Sequence, residues 1–286
     1  MDFDSFLDQA WTDHAEHAAA VAARLADPGV GLLAQEEQVA QLAGLAHHVH
    51  GQHLGSWADG VAFQQQLAKL PLVSAGSSTA QALQRYGASL QLAGGLDDAR
   101  GGGGEAIRLT AMAAAVMTVH DTPRARALLE EAAAAATALP DTDPAVRAVA
   151  VAGNNMASTL EDLPVRSEAE RALMIAAAST ARLFWARAGT WRETERADYR
   201  LAKTWLQAGD ATQALHHARL CLDTVQAHGN VALERFFGLE VLALAQRSAG
   251  DTDACAETVA QMRVTFDALD EGDQGWCRPA LSTIET

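Results

Sequence analysis

Asn154-Asn155-Met156-Ala157, followed by Ser167-Glu168-Ala169-Glu170, is the stretch whose reading decides the fold. One helical run holds an amide pair, a bulky apolar residue and a small one, and an alanine follows twelve residues after Ala157 at Ala169. This is the grammar of two helices joined by a turn. Met156 packs inward, Ala157 lets a partner helix approach, and Ala169 is expected as the small contact across the turn. Asn154 and Asn155 are the misfits, because Asn is a poor helix former. An amide beside packing positions needs partners that a straight helix does not offer. The backbone of another chain would supply them.

The pattern recurs. In Leu201-Ala202, Trp205, Gly209-Asp210, Ala214, Ala218 and Cys221, the large, small, aromatic, turn and alanine positions keep the same offsets. It returns as Leu242-Ala243, Gly250-Asp251, Cys255, Val259 and Met262, with the two Gly-Asp turns 41 residues apart. Upstream, Met112-Ala113, Val116, Ala125, Leu129 and Ala132 fit, and Ala125 lies 44 residues before Ala169. A weaker copy runs from His47-His48 through Leu54-Gly55, Trp57, Gly60 and Gln64 to Leu67. Self-similarity at this period marks stacked helical pairs.

These residues resemble the tetratricopeptide repeat family, especially the longer-repeat branch in which kinesin light chains carry a similar Asn-Asn-Leu-Ala run. The likeness covers 105–268 well and 35–70 loosely. It implies an all-α, right-handed solenoid of helical hairpins, with a helical cap and degenerate repeat over 1–100, a regular array over 105–270 and a tail over 271–286. It also implies a concave groove, lined by the first helix of each pair, that binds a peptide or an extended segment of another protein without chemistry or cofactor.

Composition agrees with helix: 49% of residues are hydrophobic and only 5% aromatic. The formal charge of −15 argues against nucleic acid, whose phosphates demand a basic footprint. No run of eighteen apolar residues suggests a membrane span. The acidic Met1-Asp2-Phe3-Asp4 start shows no signal peptide, so a cytoplasmic protein is expected. Cys221, Cys255 and Cys277 are too few and too scattered for a disulfide framework or zinc knuckle.

Along the chain, helices are expected over 5–26 (stopped by Pro28-Gly29), 33–50, 57–69 and 77–93. The glycines at 101–104 read as a flexible connection before the array. Without a following Gly-Lys-Ser/Thr they do not make a phosphate loop. Thr122-Pro123 and Asp143-Pro144 place an N-cap oxygen before a proline, Ser167 with Glu170 makes a capping box, and Asp210 with Gln213 comes close to one.

On the groove face this register places Asn154, Asn155 and Ser158, then Arg196, Tyr199, Arg200 and Lys203, then Glu240 and Arg247. The second group recurs at three- and four-residue steps and so shares one side of a helix. Some family members grip a peptide's C-terminal carboxylate in a clamp. Arg196, Arg200 and Asn155 match three of its positions, while Thr110 and Ala114 stand where the others would be. The resemblance therefore implies a partner with an acidic group or C-terminal carboxylate. Against it stands pairing of the arginines with Glu193, Glu195 or Asp198. Phe184, Trp185, Trp191, Tyr199, Trp205 and Phe236-Phe237 read as packing between repeats first, and as an aromatic wall second.

Six of the ten histidines lie in the first 53 residues: His14, His17, His47, His48, His50 and His53. His47, His50 and His53 step by three, with Asp13, Glu16, His14 and His17 able to approach from the preceding helix. Steps of three and six spread around a helix by more than a right angle, and Gly51 weakens the helix there. Packing or surface histidines are therefore expected, with a metal protein or enzyme, or a small-molecule sensor, as alternatives. No nucleophile elbow, kinase signature or nucleotide fingerprint is present. The pairs Asp97-Asp98 and Glu130-Glu131 read as solvated charge.

Overall fold

Caps written into the sequence set where the helices begin. Asp143 Oδ1 accepts the Ala145 amide at 2.9 Å, and Ser167/Glu170 and Thr190/Glu193 close complete capping boxes. Asp210 and Asp251 accept from the amides of Gln213 and Ala254. Each satisfies a backbone donor that the first helical turn leaves unpaired. Thr122 is not the cap expected of it: Asp121 accepts the Arg124 amide, and Thr122 is already helical.

The computed structural model describes residues 1–96 and 101–285, so the Asp97-Asp98 pair lies outside the described residues. These are helical with no strand, and no helix among them is long and apolar enough to cross a membrane. The chain forms two compact units, Met1–Leu139 and Pro140–Thr286.

In the first unit, α1 (Phe3–Asp13), α2 (Ala18–Ala26), α3 (Glu36–His48), α4 (Trp57–Leu67), α5 (Ser78–Gly94), α6 (Gly103–Met117) and α7 (Thr122–Ala136) follow in order. The single helix expected over 5–26 is broken. Between α1 and α2 the chain turns back, so that Val21 and Leu25 join Phe3, Phe6 and Leu42 in one core. Burial of that apolar surface outweighs continuing one helix through residues 14–17. Arg24 Nη2 on Asp13 Oδ2 at 2.6 Å ties the two helices. The last turn of α3 widens into a π-helical segment, Val49–His53. Gly103 and Gly104 of the glycine run open α6 rather than forming a connection.

In the second unit, α8 (Pro144–Glu161), α9 (Glu168–Ala188), α10 (Trp191–Ala208), α11 (Ala211–Ala227), α12 (Ala232–Ser248), α13 (Thr252–Asp267) and α14 (Glu271–Glu285) follow. Each helix packs on the next. In addition α8 meets α10, α10 meets α12 and α12 meets α14, so the first helices of successive pairs are neighbours. Residues 271–285, expected as tail, are a helix whose Cys277 and Ile284 are buried with Phe236, Met262 and Phe266.

The small-residue register holds for α10–α11 and α12–α13. Ala202, Ala214, Ala218, Cys221 and Met262 have no exposure, and Cys255 and Val259 are buried. Met156 and Ala157 are likewise buried, but Ala169 is exposed. Gly209-Asp210 alone joins α10 to α11, whereas six residues separate α8 from α9. The longer connection delays the inward face of α9 to Leu173, Met174 and Ala177. Gly153 makes the close approach instead, since a Cβ there would lie 2.6 Å from the Ala177 carbonyl oxygen.

Candidate functional site

The side chains expected on the groove face come from α8, α10 and α12, and several meet at one cleft of about 300 Å³. Asn154, Arg196, Tyr199 and Arg200 line it together with Glu195, Leu233, Glu234, Phe237 and Trp276. Asn154 is half-buried. Asn155 is exposed and Ser158 half-buried, and neither belongs to the cleft wall. Met156 and Ala157 are buried packing residues, and of the amide pair only Asn154 reaches this side of α8.

The arginines are already engaged. Arg196 donates from Nη2 and Nε to Glu234 Oε1 and Oε2 at 2.7 and 3.2 Å, and Arg192 Nε lies 3.0 Å from the same carboxylate. Arg200 Nη1 donates to Glu161 Oε2 at 2.5 Å, and the Thr204 hydroxyl donates to Glu161 Oε1 at 2.6 Å. The Tyr199 hydroxyl donates to Glu240 Oε2 at 2.9 Å, and Lys203 Nζ sits 5.5 Å from the centre of the Tyr199 ring. The partners are therefore carboxylates of the neighbouring helix pairs, not Glu193, Glu195 or Asp198. Arg196 stays more than half exposed, while the side chains of Glu161 and Glu234 are each only 6% exposed. The spot is donor-rich and close to neutral in charge. Arg247 reaches the Ile284 carbonyl instead.

Two acids that the sequence offered only as partners for the arginines, Glu195 and Asp198, are each 1% exposed. Asp198 receives Arg182 at 2.7 Å and His217 at 3.0 Å. Glu195 accepts the Cys221 thiol on Oε1 at 2.9 Å, and its Oε2 has no hydrogen-bond partner among the described residues. Burial pushes the Glu195 carboxyl up to about 7; the Glu234 charge adds to the rise, and the Cys221 hydrogen bond opposes it. Burial likewise raises Glu240, and Tyr199 is raised by burial and by the Glu240 charge.

The aromatics divide. Phe184 and Trp185 are buried, and Trp191 stacks on His228 with ring centres 4.8 Å apart. Tyr199, Phe237 and Trp276 form a ladder along the cleft, with ring centres 6.1 and 5.0 Å apart. Trp276 is 62% exposed, so this end of the ladder is open to solvent. Phe237 was legible only as half of a Phe-Phe pair, and Trp276 lay in the supposed tail.

In the first unit the histidines also divide. His47 Nε2 lies 2.9 Å from the Ser89 hydroxyl and His50 Nδ1 2.9 Å from that of Ser56. Burial pushes His47 down to about 3. The three-residue series does not form a cluster. His14, His48 and His53 do, with one ligand atom of each within 4.8 Å of the others. Burial, and the neighbouring His53 and His14, hold His48 down at about 4.

No protein-family model, curated protein or solved structure matches the chain.

Proposed function

We propose that the unit 140–286 is an array of tetratricopeptide-like hairpins that binds an extended segment of another protein along α8, α10, α12 and α14. The observation that carries this reading is the cleft itself, where a half-buried amide, paired guanidiniums and an open aromatic ladder converge. Asn154 can hydrogen-bond a peptide backbone, and the Tyr199–Phe237–Trp276 ladder can seat an apolar or aromatic side chain. Large aromatics and arginines supply most of the binding energy at such surfaces. Because the scaffold is stacked helices, the groups are in place before the peptide arrives, which lowers the ordering cost.

An acidic group or C-terminal carboxylate on the partner would meet Arg196 or Arg200 only by sharing them with Glu234 or Glu161. Anion recognition is therefore the lesser part of the site, and the ladder with Asn154 the greater. No catalytic step is assigned.

Selection from a displayed random-peptide library on the purified chain tests this. Enriched peptides should bind wild type and lose about tenfold or more in affinity on Trp276→Ala, a typical loss for an aromatic anchor. Selected peptides that bind Trp276→Ala and Asn154→Ala as tightly as wild type would overturn the placement.

A further inference from the structure

We propose that His14, His48 and His53 form a binding site for a divalent ion of the zinc class. The three come from the end of α1, the end of α3 and the end of the π-helical segment. Their ring centres lie 4.8, 4.9 and 5.0 Å apart. The Nε2 atoms of His48 and His53 are 3.1 Å apart. Two nitrogens bound to one tetrahedral zinc ion at 2.0–2.1 Å would be about 3.3–3.4 Å apart, so the pair already stands within a few tenths of an ångström of ligand spacing.

The π turn explains why His48 and His53 meet. Five residues along an α-helix turn the side chain to a different face, whereas a π turn closes at i→i+5 and returns it to the same side. The turn is braced from outside, since His120 Nε2 lies 3.0 Å from the carbonyl oxygens of both Gly51 and Gln52.

The surroundings of the three rings are those a metal ligand needs. His14 Nδ1 lies 2.5 Å from the Trp11 carbonyl oxygen. A carbonyl only accepts, so the proton sits on Nδ1 and Nε2 is left with its lone pair. Metal-bound imidazoles are oriented and made more basic by just such an outer hydrogen bond. The Trp11 ring covers one side, 5.1 Å from His14 and 5.6 Å from His48.

The donor set selects the ion. Asp13, the nearest acid in sequence, is committed to Arg24 at 2.6 Å. Three imidazole nitrogens without a carboxylate favour zinc, cobalt, nickel or copper over magnesium or calcium. The group has three members, all half-buried, so a tetrahedral ion would carry water in its fourth position. This site belongs to the first unit and does not rest on the peptide-binding reading.

The test uses the untagged full chain, freed of metal and titrated with Zn(II) against a chromophoric chelator, and with Co(II) followed by its visible absorption. The expected result is one ion per chain, with the intense bands of tetrahedral cobalt. His48→Gln and His14→Gln should each weaken binding at least about tenfold, as even outer-shell losses do, with helical circular dichroism unchanged. His14→Gln, at the end of a helix, keeps the test informative if His48→Gln misfolds. His216→Gln, in the other unit, should bind as wild type. No stoichiometric binding by the wild type, or His14→Gln and His48→Gln variants that both bind as tightly as wild type, would overturn the proposal and leave only a hydrogen-bonded histidine pair.

Discussion

Two glycine-to-alanine changes should move stability in opposite directions. Gly153 and Gly87 both lie inside helices, so each alanine would gain about 1 kcal/mol of helix propensity in open space. At Gly153 there is no space. The added Cβ would lie 2.6 Å from the Ala177 carbonyl oxygen and 3.0 Å from the Ala181 amide nitrogen. Both are backbone atoms, so no side chain can rotate away. The first distance is 0.4 Å below the 3.0 Å limit of real Cβ contacts, and α8 and α9 must separate. Overpacking of this kind costs about 1–3 kcal/mol, and α8–α9 is a close-packed pair that transmits the shift along its length. The net effect of Gly153→Ala should be a loss of up to about 2 kcal/mol. At Gly87 the nearest atom is Gln64 Cβ at 3.8 Å, an ordinary contact, so Gly87→Ala should stabilise by up to about 1 kcal/mol. Urea unfolding followed by far-ultraviolet circular dichroism measures both. A Gly153→Ala variant as stable as wild type, or more so, would refute the close approach of α8 to α9.

Three further outcomes are expected. Arg200→Ala should cost about 2–4 kcal/mol because it strands the buried Glu161 carboxylate, whereas Arg196→Ala should cost under about 1 kcal/mol because Arg192 still faces Glu234; equal effects in urea unfolding would contradict this. Glu195 is raised from 4.5 to about 7 in the fold, so between those values the native state holds more protons than the unfolded chain and stability falls as pH rises. Glu195→Gln should flatten that part of the stability–pH curve, and an unchanged slope would show that Glu195 titrates normally. Cys221, Cys255 and Cys277 are buried, with burial pushing Cys277 up to about 11 and Cys221 also upward. None should react with Ellman's reagent until denaturant is added, and rapid labelling of the folded chain would count against their packing.

Much of the helical order was legible because caps and small residues report directly on local geometry. The boundaries expected at 33–50, 57–69 and 77–93 fall within a few residues of α3, α4 and α5. What escaped was set by contacts between distant segments. Nothing in the run of alanines at 18–20 announces that α2 folds back on α1; the shared core around Phe6 and Leu42 does. The spacing from Ala157 to Ala169 copied that from Ala202 to Ala214 while the connecting loop grew, so equal offsets led to an exposed position. The histidine cluster was hidden because α-helical spacing forbids what a π turn permits. The groove pairings did leave a trace. Arg196 with Glu234, Tyr199 with Glu240 and Arg200 with Glu161 are separated by 38, 41 and 39 residues. That is close to the 41 residues between the Gly-Asp turns, one repeat length, whereas the partners expected from the sequence, Glu193, Glu195 and Asp198, lie within α10 itself.

The central claim is that the cleft receives an extended peptide. Hydrogen–deuterium exchange of the full chain, with and without a peptide selected for binding, tests it most directly. The peptide should slow exchange in the segments around Asn154, 192–203, 233–240 and 271–277 while leaving α9, α11 and α13 unchanged. Protection confined to those second helices, or to residues 1–139, would show that the binding surface lies elsewhere.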